Sequence, residues 1–244
     1  MRIHLFLILC LFLISCSDEE GNCFKSYGER VEMVSEVDAF HSINLYDNLP
    51  LKISEGINFE ITIKHGSNLI DGIDFTVKDS VLTLDNLNKC RWLKNQENTP
   101  EISISCPLDI LRRIQCYGVG DVSVLDTIRS KQFFIDHWGS VGNTSLLFSG
   151  ESLHLSHHAG PGSIIARGKT SVLYVYNTST GYTDASQVES GFLFCTSRTN
   201  RTINAGASVR ADLKLYGSGD VELCPSPAEL NLVEKGSGRV VLCK

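Results

Sequence analysis

Large side chains that usually anchor a protein core are scarce in this chain: two tryptophans and two methionines among 244 residues, with aromatics at 8%. An interior built on big rings is thereby excluded, and aliphatic residues must fill it. Long apolar runs are also lacking. The stretch at residues 5–14 is too short to cross a bilayer, and no later segment is long or apolar enough. No two cysteines stand two residues apart, which removes zinc-ribbon and thioredoxin-type readings. Basic residues are scattered and outnumbered, 22 against 28 acidic, so no basic stripe exists for nucleic acid. A Gly-x-Ser-x-Gly nucleophile elbow is absent as well.

What is present begins at the N-terminus. Arg2 precedes the apolar stretch, which ends at Leu13-Ile14-Ser15-Cys16, a tetrapeptide that looks like a bacterial lipobox. Residues 1–15 read as a lipoprotein signal peptide and Cys16 as the lipidated residue, so the expected partner is the outer membrane, held through lipid. Ser17-Asp18-Glu19-Glu20 resembles the export signal of Bacteroidetes lipoproteins and opens an acidic flexible tether expected over residues 16–36. Exposure at the cell surface is the reading this favours, with a periplasm-facing position as the alternative.

The second half repeats. Gly118-Val119-Gly120-Asp121, Gly139-Ser140-Val141-Gly142, Gly160-Pro161-Gly162, Gly217-Ser218-Gly219-Asp220 and Gly236-Ser237-Gly238 recur about every 20 residues. Two short apolar strands around a tight turn, at that period, predict an all-β protein: a right-handed parallel β-helix or β-solenoid. One domain is expected over residues 37–244, with an irregular β portion at 37–110 continuous with regular repeats at 111–244. Strands of the first portion alternate at period two, as at Phe59, Ile61 and Ile63, and a polar loop at 86–100 interrupts them.

Written as columns, the repeats place Ile114, Phe133, Leu153, Leu173, Leu193, Leu213 and Leu230 at one inward position. Cys116, Ile135, Leu155, Val175, Cys195, Leu215 and Leu232 follow two residues later. A third column, Gly118, His137, His157, Asn177, Ser197, Gly217 and Glu234, is polar or small. Stacked His137 and His157 raise a metal site, but no neighbouring carboxylate completes it. A ladder of side chains satisfying turn backbone is the plainer account.

With Cys10 in the signal peptide and Cys16 assigned to lipid, Cys23, Cys90, Cys106, Cys116, Cys195, Cys224 and Cys243 remain, an odd number. Cys224 and Cys243 fall about one repeat apart and are the candidate disulfide; Cys116 and Cys195 sit at apolar strand positions.

Phe40-x-x-Ile43, the hairpin around Val77-Lys78-Asp79-Ser80-Val81, the run from Ile102 through Pro107 and Leu111 to Gly118-Val119-Gly120-Asp121, and the later Gly-Ser-Gly-Asp turns together resemble the bacterial family called "putative auto-transporter adhesin, head GIN domain". The resemblance covers residues 37–244 and implies a β-helix-like solenoid, typically exported or lipid-anchored. It brings no assigned activity and no catalytic, cofactor-binding or metal residue. This chain departs from the pattern where the Gly-x-Gly turn is lost. Thr178, Ser179, Thr180, Arg198, Asn200 and Arg201 are therefore the candidate partner surface. Asp79-Ser80-Val81 and Asp126-Thr127-Ile128 resemble the Bacteroidetes O-glycosylation sequon, with Ser80 and Thr127 as acceptors.

Functionally, these observations predict a non-enzymatic, envelope-anchored binding or structural module for glycan or protein, with no cofactor. The alternative is a β-helix enzyme acting on polysaccharide, which needs converging carboxylates. Asp121 and Asp220 occupy equivalent turns five rungs apart, too far to act together. Trp138, Tyr176, Tyr182 and Tyr216 are the rings to inspect, because a strip of them on one outer face would suit sugars.

Overall fold

Alternating apolar and polar residues between glycine-rich turns leave one regular option, extended strands with one side inward. The computed structural model of the protein describes residues 26–88 and 99–243. Its strands begin with β1 Arg30–Glu36, β2 Ser42–Leu45, β3 Leu51–Glu55, β4 Glu60–Gly66, β5 Ile73–Lys78, β6 Val81–Asn86 and β7 Glu101–Cys106. They continue with β8 Arg113–Cys116, β9 Val122–Ile128, β10 Gln132–Trp138, β11 Asn143–Ala159, β12 Ser163–Asn177 and β13 Tyr182–Ser197. The last are β14 Ile203–Ala205, β15 Arg210–Leu215, β16 Val221–Leu223, β17 Glu229–Glu234 and β18 Val240–Leu242. Among the described residues the one helical element is a 3-10 turn, Ile70–Gly72. The signal peptide expected over residues 1–15 and Cys16, expected to carry the lipid, lie outside the described residues, as do Cys23 and Cys90.

The strands form a β-solenoid with two parallel faces. The leading face runs β6, β2, β8, β10, then the second halves of β11, β12 and β13, and closes with β15 and β17. The trailing face runs β7, β3, β9, the first halves of β11, β12 and β13, and then β14, β16 and β18. Within each regular rung a tight turn joins the leading strand to the trailing one. Aliphatic side chains from both faces meet between them; Ile43, Ile114, Ile135, Leu155 and Leu173 have no exposed surface at all. Burying one such side chain is worth roughly 1.5–3 kcal/mol.

Chain order and stacking order part company at the N-terminal end. β2 lies between β6 and β8, so the chain leaves the stack after β3 and returns on its outer side. Two rungs of the coil therefore occupy the portion expected to be irregular. Antiparallel strands close this end: β4 pairs with β7 and β1, and β5 pairs with β6. The tether expected over residues 16–36 accordingly gives way to sheet at β1. The β4 edge supplies main-chain partners along Arg30–Glu36, and Met33 packs against the core.

Inward columns hold through the middle of the coil, where Phe133, Leu153, Leu173 and Leu193 align. They slip by two residues at either end. Ile114 pairs with Ile135 and not with Phe133, because β9 bulges by two residues between Ser123 and Thr127 where β11 has only Leu146. Leu213 pairs with Cys195 and Leu215 with Ser197, because the trailing half after Ile203 is two residues shorter than its counterpart after Thr183. The third inward column is thus Cys116, His137, His157, Asn177, Ser197, Leu215 and Glu234; Gly118 and Gly217 belong to the turns.

The turns stack so closely that side chains are excluded. A Cβ on Gly118 would strike the Asp47 backbone, and one on Gly142 the Gly120 carbonyl. At the far end Cys224 and Cys243 are joined in a disulfide with Cα atoms 5.3 Å apart, tying the last two rungs together. All six residues of β17 are exposed.

Candidate functional site

Outward positions of the leading face alternate with the buried columns, and one of them is aromatic for four rungs. Phe134, His154, Tyr174 and Phe194 are successive register partners. Their rings stack with centroids 4.2, 4.3 and 5.3 Å apart and planes within 24° of each other. Rungs lie about 4.8 Å apart, close to an offset stacking distance, so one aromatic per rung at a fixed outward position produces the ladder without further instruction. The Arg113 guanidinium covers the outer side of Phe134, 4.5 Å from its centroid. Burial within the ladder lowers the His154 imidazole from its ordinary range, and the ring pairs with Gln132 at 3.0 Å.

The ladder stops at Phe194, because its next register partner is Asp212. Loss of a ring there opens a groove of about 520 Å³ lined by Tyr174, Tyr176, Phe194, Asp212, Lys214 and Asn231. Asp212 is held firmly. Its Oδ1 accepts from Arg210 Nε at 3.1 Å and Nη2 at 3.0 Å, and from Asn231 Nδ2 at 2.7 Å. Hydrogen bonds from Asn231 and then Arg210 keep this carboxyl below the usual carboxylate range. Beside the ladder, Trp138 lies flat on His158, centroids 3.7 Å apart, and His158 Nε2 stands 3.2 Å from Asp136 Oδ1.

The histidines of the third column point the other way. His137 and His157 are fully buried, and the rings meet edge to face at 4.8 Å. His137 Nε2 contacts Thr144 Oγ1 at 2.9 Å, and His157 Nε2 donates to the Tyr182 carbonyl at 3.0 Å. Burial depresses both, His137 to about 3 and His157 to about 4, so both rings are neutral. Asn177 continues the ladder by donating to the Gly181 carbonyl at 2.8 Å. Among the described residues no group of three His, Cys, Asp or Glu is placed to hold a metal.

Other sequence candidates fall on the turns. Thr178 Oγ1 donates to the His157 and His158 carbonyls, and Ser179 Oγ accepts from Gly181 N–H, so side chains do at this turn what glycine does elsewhere. Thr180 and Asn200 are exposed beside them. Arg198 lies over the Tyr216 ring at 4.5 Å, and Arg201 approaches Tyr182 at 5.9 Å. These residues occupy the edge between faces, not the groove. Asp121 and Asp220 each bind the next rung: Asp121 accepts from Asn143 N–H at 2.7 Å and Asp220 from Arg239 N–H at 2.8 Å. Ser80 is exposed at a hairpin turn with φ of 60°, whereas Thr127 is half-buried within β9. Cys106, Cys116 and Cys195 are buried free thiols.

Of the four rings singled out in the sequence, Trp138 and Tyr176 reach the leading face, while Tyr182 opens β13 on the trailing face and Tyr216 sits at a turn. Phe134, His154, Tyr174 and Phe194 were not among them. Their signal was the spacing itself, since each directly follows a member of the buried column.

Solved structures share this architecture. One from Bacteroides fragilis, described as a putative adhesin, superposes with a TM-score of 0.79 at 20% identity, covering 88% of this chain and 97% of its own. A putative adhesin from Parabacteroides merdae gives 0.63 at 14%, and a protein from Parabacteroides distasonis described as a putative lipid binding protein gives 0.62 at 16%. Each of these two covers 88% of this chain and 97% of its own. At such identities the likeness is one of fold. No curated protein matches the sequence. The model of the family described as "Putative auto-transporter adhesin, head GIN domain" matches residues 39–227, and the chain belongs to that family.

Proposed function

We propose that this protein is a non-catalytic binding module of the cell envelope that holds carbohydrate on the aromatic side of its leading face. The observation that carries this reading is the four-ring ladder ending in an open groove beside a fixed carboxylate. Ligand sites combine apolar rings with a few oriented polar groups, and this groove has both. Membership of a family described as adhesins supports binding over catalysis. Arg198, Arg201 and the polar turn at Thr178, Ser179, Thr180 and Asn200 form a rim along which a longer ligand would run. Anchoring is through lipid on Cys16 at the outer membrane, with the module facing outward.

A glycan array probed with the mature chain tests the central reading. Retention of one or more saccharide classes is expected. Retention of envelope or host proteins with no saccharide would replace glycan by protein as the ligand. For the anchor, Cys16→Ala is expected to abolish fatty-acid labelling and release the protein from membranes, and protease added to whole cells is expected to digest the wild type. Protection from that protease would place the module in the periplasm.

A further inference from the structure

We infer that the end of the ladder is a carbohydrate subsite one ring wide, with Phe194 as the platform and Asp212 as the group that reads hydroxyls. This rests on the binding reading above and names the place and the chemistry within it. Rings stacked along the coil axis cover one another's faces and turn their edges to solvent. Phe134 is covered by Arg113 and His154, His154 by Phe134 and Tyr174, and Tyr174 by His154 and Phe194. Phe194 alone among the four has a face without a ring or a guanidinium on it, the one toward the Asp212 rung. The residue is 40% exposed. A pyranose needs a ring face for its apolar C–H side, so the ladder offers one stacking position and not four.

Asp212 supplies what such a sugar needs at its edge. Oδ1 is saturated by Arg210 and Asn231, which fixes the plane of the carboxylate, and Oδ2 has no protein donor among the described residues. A charged acceptor held in place makes strong hydrogen bonds to hydroxyl donors without paying for reorientation. Lys214, two residues along the same strand and the register partner of Thr196, adds donors in the next outward column of the groove.

Ring plus carboxylate also suits a cation. Here the carboxylate is already paired with Arg210 and has Lys214 two residues on, while Glu229 stands opposite Arg210, so little uncompensated negative charge is left to hold a cation. A neutral polyol needs none. An acidic sugar is tolerated through Lys214.

The test is ligand-observed NMR with a panel of methyl glycosides, with tetramethylammonium as the cationic probe, on the mature chain and its variants. Phe194→Ala and Asp212→Ala are each expected to weaken glycoside binding at least tenfold. Phe194→Trp should retain it, and Tyr46→Ala, which removes the ring stacked on Tyr117 outside the groove, should leave it unchanged. Melting curves of the variants separate lost binding from lost folding, and Phe194→Trp covers the case where Phe194→Ala is unfolded. Wild-type binding that survives both Phe194→Ala and Asp212→Ala overturns the subsite while the carbohydrate reading stands. Binding of tetramethylammonium in preference to the glycosides overturns the ligand chemistry. Absence of any saccharide binding by the wild type, here and on the array, removes both proposals.

Discussion

His137 and His157 lie inside the coil on adjacent rungs, edge to face at 4.8 Å, each hydrogen-bonded through Nε2 and both kept neutral by burial. The unfolded chain binds protons on these residues near the ordinary value of 6.5, whereas the folded chain resists until about 4 for His157 and about 3 for His137. Between those limits the unfolded state carries more protons, so stability falls as pH falls. Each histidine contributes a slope of up to about 1.4 kcal/mol per pH unit near pH 5, and neither contributes above pH 7.5. Urea midpoints measured from pH 7.5 to 4.5 should show this loss. His157→Asn should roughly halve the histidine share; an unchanged slope in that variant would sink the explanation.

Gly181 is required by the His157 ring and not by its own backbone angles. A Cβ there would enter the imidazole at Nδ1, Cε1 and Cγ, and the ring is fully buried. Gly181→Ala should cost about 1–3 kcal/mol, the usual range for overpacking a tight interior. In a His157→Ala background the same substitution should cost far less. A cost that is additive across the double-mutant cycle would show that the contact is not the cause.

The disulfide between Cys224 and Cys243 closes a loop of 19 residues, for which chain entropy assigns about 3 kcal/mol. Reduction should loosen the last rung first, seen as faster amide exchange in β17 and β18 than in β12. Thiol chemistry should be selective. Burial pushes Cys106, Cys116 and Cys195 up to about 12 each, so alkylation of the native protein should leave these three unlabelled until it unfolds. Labelling of Cys195 at the rate of a free peptide thiol would contradict the packed interior.

Ser80 and Thr127 share a sequon but not an environment. Ser80 stands exposed in a hairpin turn; Thr127 pairs in register with Leu147, and the carboxylate of Asp126 before it accepts the Glu55 N–H at 2.9 Å. Expression in a Bacteroidetes host should add sugar mass that Ser80→Ala removes and Thr127→Ala does not. An intact mass without sugar would dismiss both sites.

Much of the fold was legible because rungs of constant length repeat the same contacts. Phe133, Leu153, Leu173 and Leu193 could be aligned from spacing alone, and so could the trailing column from Leu146 to Ala166. Alignment failed at Ile114 and Leu213, where a bulge or a shortened return moves the register by two residues. A strand keeps its inside-outside pattern under a shift of two, so nothing in the alternation betrays the slip. The aromatic face was harder to see. Phe134 and Tyr174 are unremarkable singly, and Asp212 reaches Phe194 only because the rung between them is 18 residues long and not 20. A site that depends on that shortening is invisible to a count of regular repeats.

The crossing at the N-terminal end also has a consequence in time. β2 is the first leading strand to be made, yet its two neighbours are β6 and β8, at residues 81–86 and 113–116. A chain delivered N-terminus first holds Ile43 without any partner until Leu82, 39 residues on, and without its second until Ile114, 71 residues on. From β10 onward each new rung can settle on one already in place. Assembly therefore begins with a long wait and then proceeds by accretion, and any factor that shields nascent strands would be needed for the first hundred or so residues and little afterwards.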